Sequence, residues 1–188
     1  MEYGEAIKRN SEYFAFYLDR GLVRQRLGNS AGAQSDLERS NGLLPTAAAH
    51  YVLGRLAQDG GNPGRAVDHY KLAASSDSEI GHRAGADLVR LDLPRNPGDY
   101  LEVEPVADGK GNLGLRVTNA SPVALRKLRV AGAVQKNSSS NHFYREYAVP
   151  GTLQPGQSTT VAMGVRLADF NAQLKQVRAQ VRGAEVAD

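Results

Sequence analysis

The 188-residue sequence predicts an α+β protein of two domains, in which helical repeats with a terminal capping helix precede a small antiparallel β-sandwich. Three observations predict this class. The first half matches itself at an offset of 33 residues, a segment rich in Pro and Gly follows, and from Tyr100 onward apolar and polar residues alternate. We therefore expect helical repeats and a capping helix over 1–91, a linker over 92–99 and a β-sandwich over 100–188.

The repeat in the first half pairs residues of the same size or character. Five pairs at one offset are not expected by chance, and a period of this length is typical of helical repeat proteins. Small residues recur at fixed positions of each copy, where they would let the two helices of a repeat approach closely. The five pairs are Tyr17 and His50, Gly21 and Gly54, Gly28 and Gly61, Ala33 and Ala66, and Leu37 and Tyr70.

The order of these residues resembles the tetratricopeptide repeat, which has an aromatic residue, a Leu-Gly step, a turn, an Ala before a large apolar residue, and a closing Pro. Pro45 closes the first copy. The sequence departs from the pattern where Arg20 replaces the usual Leu, His50 the aromatic residue and Ser78 the second closing Pro. The resemblance implies helical hairpins that stack into an α-solenoid.

The first ten residues are similar to the end of a further repeat. Tyr3 and Ala6 have the same spacing as Tyr70 and Ala73. Because one repeat cannot bury its apolar face alone and about three are needed for stability, we expect the chain to start within a repeat and to be a piece of a longer protein.

After the second copy the helical spacing of apolar residues continues without a Leu-Gly step. This predicts a capping helix that ends near residue 91 and shields the last repeat from water. Ser76 or Ser78 would cap its amino terminus. The linker over 92–99 then contains two Pro and one Gly, which end a helix. The apolar positions of the capping helix are Ile80, Ala84, Leu88 and Leu91.

The second half alternates apolar and polar residues over short runs, as half-buried strands do. Six such runs separated by polar turns predict the antiparallel β-sandwich. Two segments, 115–119 and 153–157, resemble pieces of FxLYD-like and related immunoglobulin-like accessory domains of bacterial proteins. The runs are Leu101 to Val103, Leu113 to Val117, Leu128 to Val134, Phe143 to Val149, Val161 to Leu167 and Val177 to Val181.

Composition excludes several kinds of chemistry. The chain has no Cys, so it has no disulfide, no Cys-bound metal and no thiol nucleophile. No apolar run reaches the roughly 18 residues that a membrane helix needs, so we predict no membrane span in this chain. Residues 1–100 hold 12 Lys and Arg against 13 Asp and Glu, and 101–188 hold 11 against 7. This weak basic excess lacks the dense basic stripe of nucleic-acid-binding proteins, so no nucleic-acid partner is expected.

Two glycine motifs match enzyme signatures in sequence but not in the secondary structure expected around them. Residues 28–32 fit G-x-S-x-G, a nucleophile elbow that needs a strand-to-helix turn, but here Gly28 is expected to end one helix and Ser30 to cap the next. Residues 109–114 fit G-x-G-x-x-G, which needs a following helix to hold a pyrophosphate, but a strand is expected there. We therefore predict neither a catalytic residue nor a cofactor.

The four histidines do not have the two-histidine spacing of zinc sites, so no metal site is predicted. His50 takes an aromatic position of the repeat and is expected to be packed. The other three are His69, His82 and His142.

Basic residues interleave with Leu125, Leu128 and Val130 around the start of the third strand run. Arg126, Lys127 and Arg129 favour a solvated strand face, with a patch for an anionic partner as the alternative.

The tetratricopeptide resemblance implies a groove lined by the first helix of each repeat, which binds a peptide or a partner domain. We therefore predict a non-catalytic protein–protein interaction module or scaffold. The Lys/Asn clamp of chaperone-binding members is not expected, because apolar residues stand where its first residues would lie. An alternative is that the repeats only space one domain from another. The predicted groove residues are Leu18, Leu22, Gln25, Arg26, Tyr51, Arg55 and Gln58.

The order of the two domains and the segments 12–14, 36–40 and 43–46 resemble the non-catalytic carboxy-terminal part of bacterial envelope zinc metalloproteases of the β-barrel assembly-enhancing type. This resemblance implies a second hypothesis, that the chain is a substrate-recruiting accessory region whose H-E-x-x-H domain lies upstream. It also favours the periplasm over the cytoplasm.

Overall fold

The computed structural model describes residues 2–136, 141–166 and 177–187, and the chain divides into two compact units, Met1–Leu91 and Asp92–Asp188. The first unit is helical and the second consists of antiparallel β-sheet. This organisation agrees with the predicted α+β class of two domains.

Six helices lie in the described part of the chain, and the middle four form two hairpins that turn in the same way. Gly28 and Gly61 have φ angles of 76° and 73°, which glycine adopts without steric cost. The following Asn29 and Asn62 cap the next helix, accepting hydrogen bonds from backbone amides at 2.9 and 3.1 Å. The helices are α1 (Glu2–Arg9), α2 (Phe14–Arg26), α3 (Ser30–Leu43), α4 (Ala47–Asp59), α5 (Pro63–Ala74) and α6 (Glu79–Asp92).

For α6 and α3, the structure shows which of two nearby residues caps the amino terminus of the helix. Ser78 caps α6, because its hydroxyl accepts a hydrogen bond from the Gly81 amide at 3.1 Å, whereas the Ser76 hydroxyl is bonded to Ser78. Ser30 was expected to cap α3 but is its first helical residue, since Asn29 takes the cap position.

A glycine faces a large buried residue inside each hairpin. A Cβ atom built on Gly21 would lie 2.8 Å from Leu37 Cγ, and one built on Gly54 would lie 2.7 Å from Tyr70 Cδ1. Both partners are buried, with Leu37 at 0% and Tyr70 at 1% exposure. The helices of each hairpin therefore pack as closely as the sequence predicts. α3 also contacts α4, which joins the two hairpins.

The helical unit has two buried clusters, one on each side of α4. Each combines residues from consecutive helices, so no helix buries its apolar face alone. The first contains Leu37, Ala49 and Leu53, with Leu18, Leu22, Val52 and Leu56 packed against it. The second contains Ala66, Tyr70, Ala73 and Ala84, with Tyr51, Ala57, Ala74, Leu88 and Leu91 packed against it.

The described residues of the second unit form two antiparallel sheets. Their strands are β1 (Leu101–Ala107), β2 (Asn112–Asn119), β3 (Leu125–Lys136), β4 (Asn141–Ala148), β5 (Thr152–Leu153), β6 (Ser158–Arg166) and β7 (Val177–Val186). In the first sheet, β2 lies between β1 and β6. In the second, the long strand β3 pairs with β4, β5 and β7.

The apolar faces of the two sheets meet at Gly132 of β3. A Cβ atom built there would overlap Met163 Cε of β6 and lie 3.3 Å from Leu115 Cδ1 of β2. Tyr147 of β4 also donates a hydrogen bond to the Met163 carbonyl at 2.9 Å. Each of the six runs expected from alternation falls on a described strand, although Val149 lies one residue beyond the end of β4 and Leu167 lies outside the described residues. The two-residue strand β5 was not expected, because it is too short to show alternation.

The segment between α6 and β1 is held together by hydrogen bonds to one buried carboxylate. Asp92 accepts hydrogen bonds from Tyr100 Oη at 2.9 Å and from Asn96 Nδ2 at 2.8 Å. A 3₁₀ turn, Pro97–Asp99, lies between these donors. Burial and the bond to Asp92 raise the pKa of Tyr100. The predicted linker is thus a hydrogen-bonded turn.

Candidate functional site

The predicted groove residues of α2 have two different environments. Leu18 and Leu22 are half-buried against the first core cluster, so they contribute to packing between α2 and α4. Gln25 is half-buried, and Arg26 is exposed at the carboxyl end of α2. Arg26 is therefore the one residue of these four whose side chain is exposed and available to a ligand.

Tyr51, Arg55 and Gln58 lie on one side of α4, since they are spaced by four and three residues. Tyr51 is half-buried and donates a hydrogen bond to Asp87 Oδ2 of α6 at 2.9 Å. Burial is the largest cause that raises the pKa of Tyr51, and the hydrogen bond to Asp87 is the second. The charges of Arg55 and Arg83 oppose this shift. The side chains of α4 and α6 thus meet around the Tyr51 hydroxyl.

The surface around this bond is rich in guanidinium groups. Arg83, Asp87 and Arg90 repeat along one side of α6. Arg90 Nη1 lies 3.1 Å from Asp87 Oδ1, and Arg83 Nη2 lies 2.9 Å from Glu79 Oε1. Arg55 is exposed and has no ion pair within the ranges that the structure describes. We call the surface formed by Tyr51, Arg55, Arg83, Asp87 and Arg90 the α4–α6 face.

Gln58 makes a hydrogen bond within the hairpin of α4 and α5. Its Oε1 accepts a hydrogen bond from the Tyr70 hydroxyl at 2.8 Å. Burial raises the pKa of Tyr70 to about 12, so this phenol stays a donor at neutral pH. The bond satisfies the polar atom of a buried ring, and Gln58 is therefore structural as well as accessible.

A charged network within the first hairpin explains the departure at Arg20. Asp36 of α3 is buried, and both of its oxygens are bonded by Arg20 of α2, at 2.6 and 2.7 Å. Arg24 Nη1 adds a third bond to Asp36 at 2.8 Å. An acidic partner therefore faces Arg20 across the hairpin, at the position where the tetratricopeptide pattern would have Leu.

His50 and His69 form a pair that sequence spacing did not reveal. Their Nδ1 atoms lie 3.2 Å apart between α4 and α5. Burial lowers the pKa of both rings, and the charge of His69 adds to the effect at His50. His50 is packed, as expected. The pair is 19 residues apart in sequence, so only the packing of the hairpin brings the rings together.

The two segments that resemble immunoglobulin-like domains, 115–119 and 153–157, meet at Asn119. This buried amide donates to the carbonyls of Val123 at 2.8 Å and Leu153 at 2.9 Å. Its oxygen accepts hydrogen bonds from the amide and the hydroxyl of Ser121 at 2.9 and 2.7 Å. The backbone of Asn119 is bonded to Gly156 and Gln157. Asn119 thus fixes the end of β2 to the turn before β6.

The two glycine motifs lie in turns, as expected. Residues 28–32 begin in the turn from α2 to α3 and enter α3, and residues 109–114 span the turn from β1 to β2 and enter β2. Neither position gives the backbone geometry that the corresponding enzyme motif requires.

Across residues 2–136, 141–166 and 177–187, no group of three or more acidic or histidine side chains is arranged to hold a metal ion. In the same part of the chain, no helix combines the length and the apolar character needed to cross a membrane.

No family model matches the chain, and no curated protein matches it. The resemblances to tetratricopeptide repeats, to immunoglobulin-like accessory domains and to the metalloprotease accessory region therefore stay predictions.

Proposed function

We propose that the helical unit is a non-catalytic interaction module of the tetratricopeptide type, which binds an acidic segment of a partner protein through the α4–α6 face. Two features support the repeat assignment. Gly21 and Gly54 make equivalent close contacts, and Asn29 and Asn62 make equivalent caps, both at the 33-residue offset. The opposed sheets of the second unit support its assignment as a β-sandwich.

The observation that carries the proposal is the environment of Tyr51. Its ring packs on the second core cluster while its hydroxyl bonds Asp87, so a rigid aromatic side chain lies at the centre of the face. The guanidinium groups of Arg55, Arg83 and Arg90 surround it, with more than half of the Arg83 and Arg90 side chains exposed. Tyr and Arg are the residue types that dominate binding energy at protein interfaces.

The charge of the α4–α6 face indicates the chemistry of the partner. Arg83 pairs with Glu79 and Arg90 pairs with Asp87, whereas Arg55 has no acidic neighbour in the described ranges within ion-pair distance. The surface therefore has an excess of positive charge at Arg55. Arginine binds carboxylates through two parallel hydrogen bonds. A partner segment carrying Asp or Glu therefore complements this surface in both charge and hydrogen bonding.

The test compares Arg55→Glu with the matched control Lys71→Glu, which makes the same charge change at an exposed position of α5. The full chain is immobilised, incubated with extract of the source cells, and the captured proteins are identified by mass spectrometry. We expect a partner captured by the wild type and by Lys71→Glu to be lost with Arg55→Glu. Capture of the same proteins by all three chains would reject the α4–α6 face and favour a spacing role for the helices.

A further inference from the structure

A bulge in β3 opens a cavity on the second unit. The pairing of β3 with β7 shifts between Arg126 and Arg129 and again between Arg129 and Val130. Lys127, within the bulge, has a φ angle of 50°, in the left-handed region that a side chain with a Cβ rarely adopts. Bulges and such strained residues are concentrated at binding and catalytic sites.

The cavity has an apolar wall and a basic rim. Its volume is about 580 Å³, within the size range of small-molecule sites. Pro94 and Ala148 are exposed and Ala184 is half-buried, and these three supply the accessible apolar part of its lining. Three basic residues line it against one acidic residue: Lys127, Arg129, Arg182 and Glu185.

Two of the three basic residues are already neutralised. Lys127 Nζ lies 3.0 Å from Glu185 Oε2. Arg182 Nε lies 3.2 Å from Glu146 Oε1, and its Nη2 donates to the Tyr144 hydroxyl at 2.6 Å. Both side chains are therefore held in place, and neither brings an uncompensated charge to the cavity.

Arg129 carries the remaining charge. It makes no ion pair in the part of the chain that the structure describes. Its guanidinium lies across Gly183 of β7, where a Cβ atom would be 3.3 Å from Arg129 Nη2. A side chain at position 183 would contact this guanidinium, so the glycine leaves room for it at the edge of the cavity.

We propose that this cavity binds a small monocarboxylate with an apolar body, whose carboxylate pairs with Arg129 and whose apolar part contacts Pro94, Ala148 and Ala184. The basic residues Lys127, Arg129 and Arg182 are opposed by Glu185 and Glu146, which leaves one net positive charge. One positive charge matches one negative charge, which favours a carboxylate over a dianionic phosphate. A planar guanidinium also matches a carboxylate in shape. The site lies within the second unit and does not depend on the function proposed for the helices.

Two sources would supply this chemistry: a free aliphatic acid and the carboxyl-terminal residue of a peptide. Octanoate represents the first and N-acetyl-leucine the second. Octanol, which keeps the apolar chain without the charge, is the ligand control.

The experiment is a titration of the full ¹⁵N-labelled chain followed by amide chemical shifts. For a ligand of this size we expect a dissociation constant of about 1 mM, with shifts at the amides of Leu128, Gly183 and Ala184. Arg129→Gln should weaken binding by about tenfold or more, since it removes a charged hydrogen-bond partner. Arg116→Gln, an exposed arginine on the other sheet paired with Glu104, is the control and should leave binding unchanged.

The tighter of the two acids identifies the source, and binding of either supports the site. The proposal is overturned if neither acid shifts these amides, if octanol binds as well as octanoate, or if Arg129→Gln and Arg116→Gln bind alike. A spectrum of Arg129→Gln that keeps the wild-type dispersion shows that the variant is folded.

Discussion

Asp36 is a buried carboxylate whose contribution to the stability of the fold depends on its neighbours. It receives three hydrogen bonds from two guanidinium groups, whereas Glu12 makes one exposed ion pair with Arg39. Removing one member of a buried ion network leaves the other charges without partners, while exposed pairs contribute little. Removal of Asp36 and removal of Glu12 should therefore have very different effects on stability.

We expect Asp36→Ala to lower the free energy of unfolding by about 2–4 kcal/mol and Glu12→Ala by less than about 1 kcal/mol. Urea denaturation followed by circular dichroism at 222 nm measures both. Equal effects of the two variants would contradict the assignment of Asp36 to a buried network.

The His50–His69 pair predicts a pH dependence of stability. Burial lowers the pKa of both rings in the folded protein; the charge of Arg65 also lowers that of His69, while Glu38 and Asp68 oppose this. The unfolded chain takes up protons at the ordinary histidine pKa of about 6.5, so it binds more protons than the folded chain below that pH. The free energy of unfolding should therefore be constant above about pH 7 and fall as the pH drops below about 6.5.

Urea denaturation at a series of pH values measures this decrease. His50→Phe, which restores the aromatic residue of the repeat pattern, should reduce it. His82→Asn, at a largely exposed position, should retain it. A decrease of wild-type size in His50→Phe would assign the pH dependence to other groups.

At the level of the helical hairpin, stability depends on how closely two helices approach. Gly54 faces the buried ring of Tyr70, whereas a Cβ atom added to Gly42 of α3 would meet no atom within 4 Å. Both residues are helical glycines, so the gain in helix propensity on substitution by Ala is similar. The difference in free energy of unfolding between the two Ala variants therefore measures how closely the helices of the hairpin pack.

Gly54→Ala should lower the free energy of unfolding by about 2 kcal/mol because the added methyl group overpacks the contact with Tyr70. Gly42→Ala should be neutral or raise it by up to about 1 kcal/mol. Thermal or urea denaturation measures the free energy of unfolding of both variants. A Gly54→Ala variant more stable than the wild type would mean that the ring of Tyr70 moves aside at little cost.

The corresponding element in the second unit is the junction of β2 with the turn before β6. Asn119→Ala removes four buried side-chain hydrogen bonds and should lower the free energy of unfolding by about 2–4 kcal/mol. Asn112→Ala removes one exposed bond to Asp108 and should change it by less than about 1 kcal/mol. Loss of amide protection in β2 and β6, measured by hydrogen exchange, locates the effect. Retained protection in Asn119→Ala would show that the turn holds without the side chain.

At the scale of the whole molecule, periodic features of the fold could be predicted from the sequence. The change from helical to alternating apolar spacing near Tyr100 separates the helices from the strands, because each kind of element buries residues at its own period. Choices between adjacent residues could not be predicted. Asn29 and Ser30 can both cap a helix, and only the path of the backbone selects Asn29.

Features that join distant segments could not be predicted either. The contacts of His50 with His69 and of Asp36 with Arg20 depend on how two helices are rotated against each other, which one sequence does not specify. The sequence predicts a solvated face where β3 has its bulge, because basic residues interleaved with apolar ones are typical of an exposed strand face. Among the groove residues, the inward bond of Gln58 follows from the hydroxyl of Tyr70, which an apolar residue at that position would not provide.

The two hairpins share one turn, one cap and one helix contact at the same interval. Each copy therefore ends at a point where another copy could begin, and the length of the helical unit can change by whole hairpins through duplication or deletion of gene segments. An insertion of one or two residues within a helix would instead rotate the following side chains away from their partners. Related proteins should accordingly differ in length by multiples of a hairpin, with shorter insertions confined to the turns.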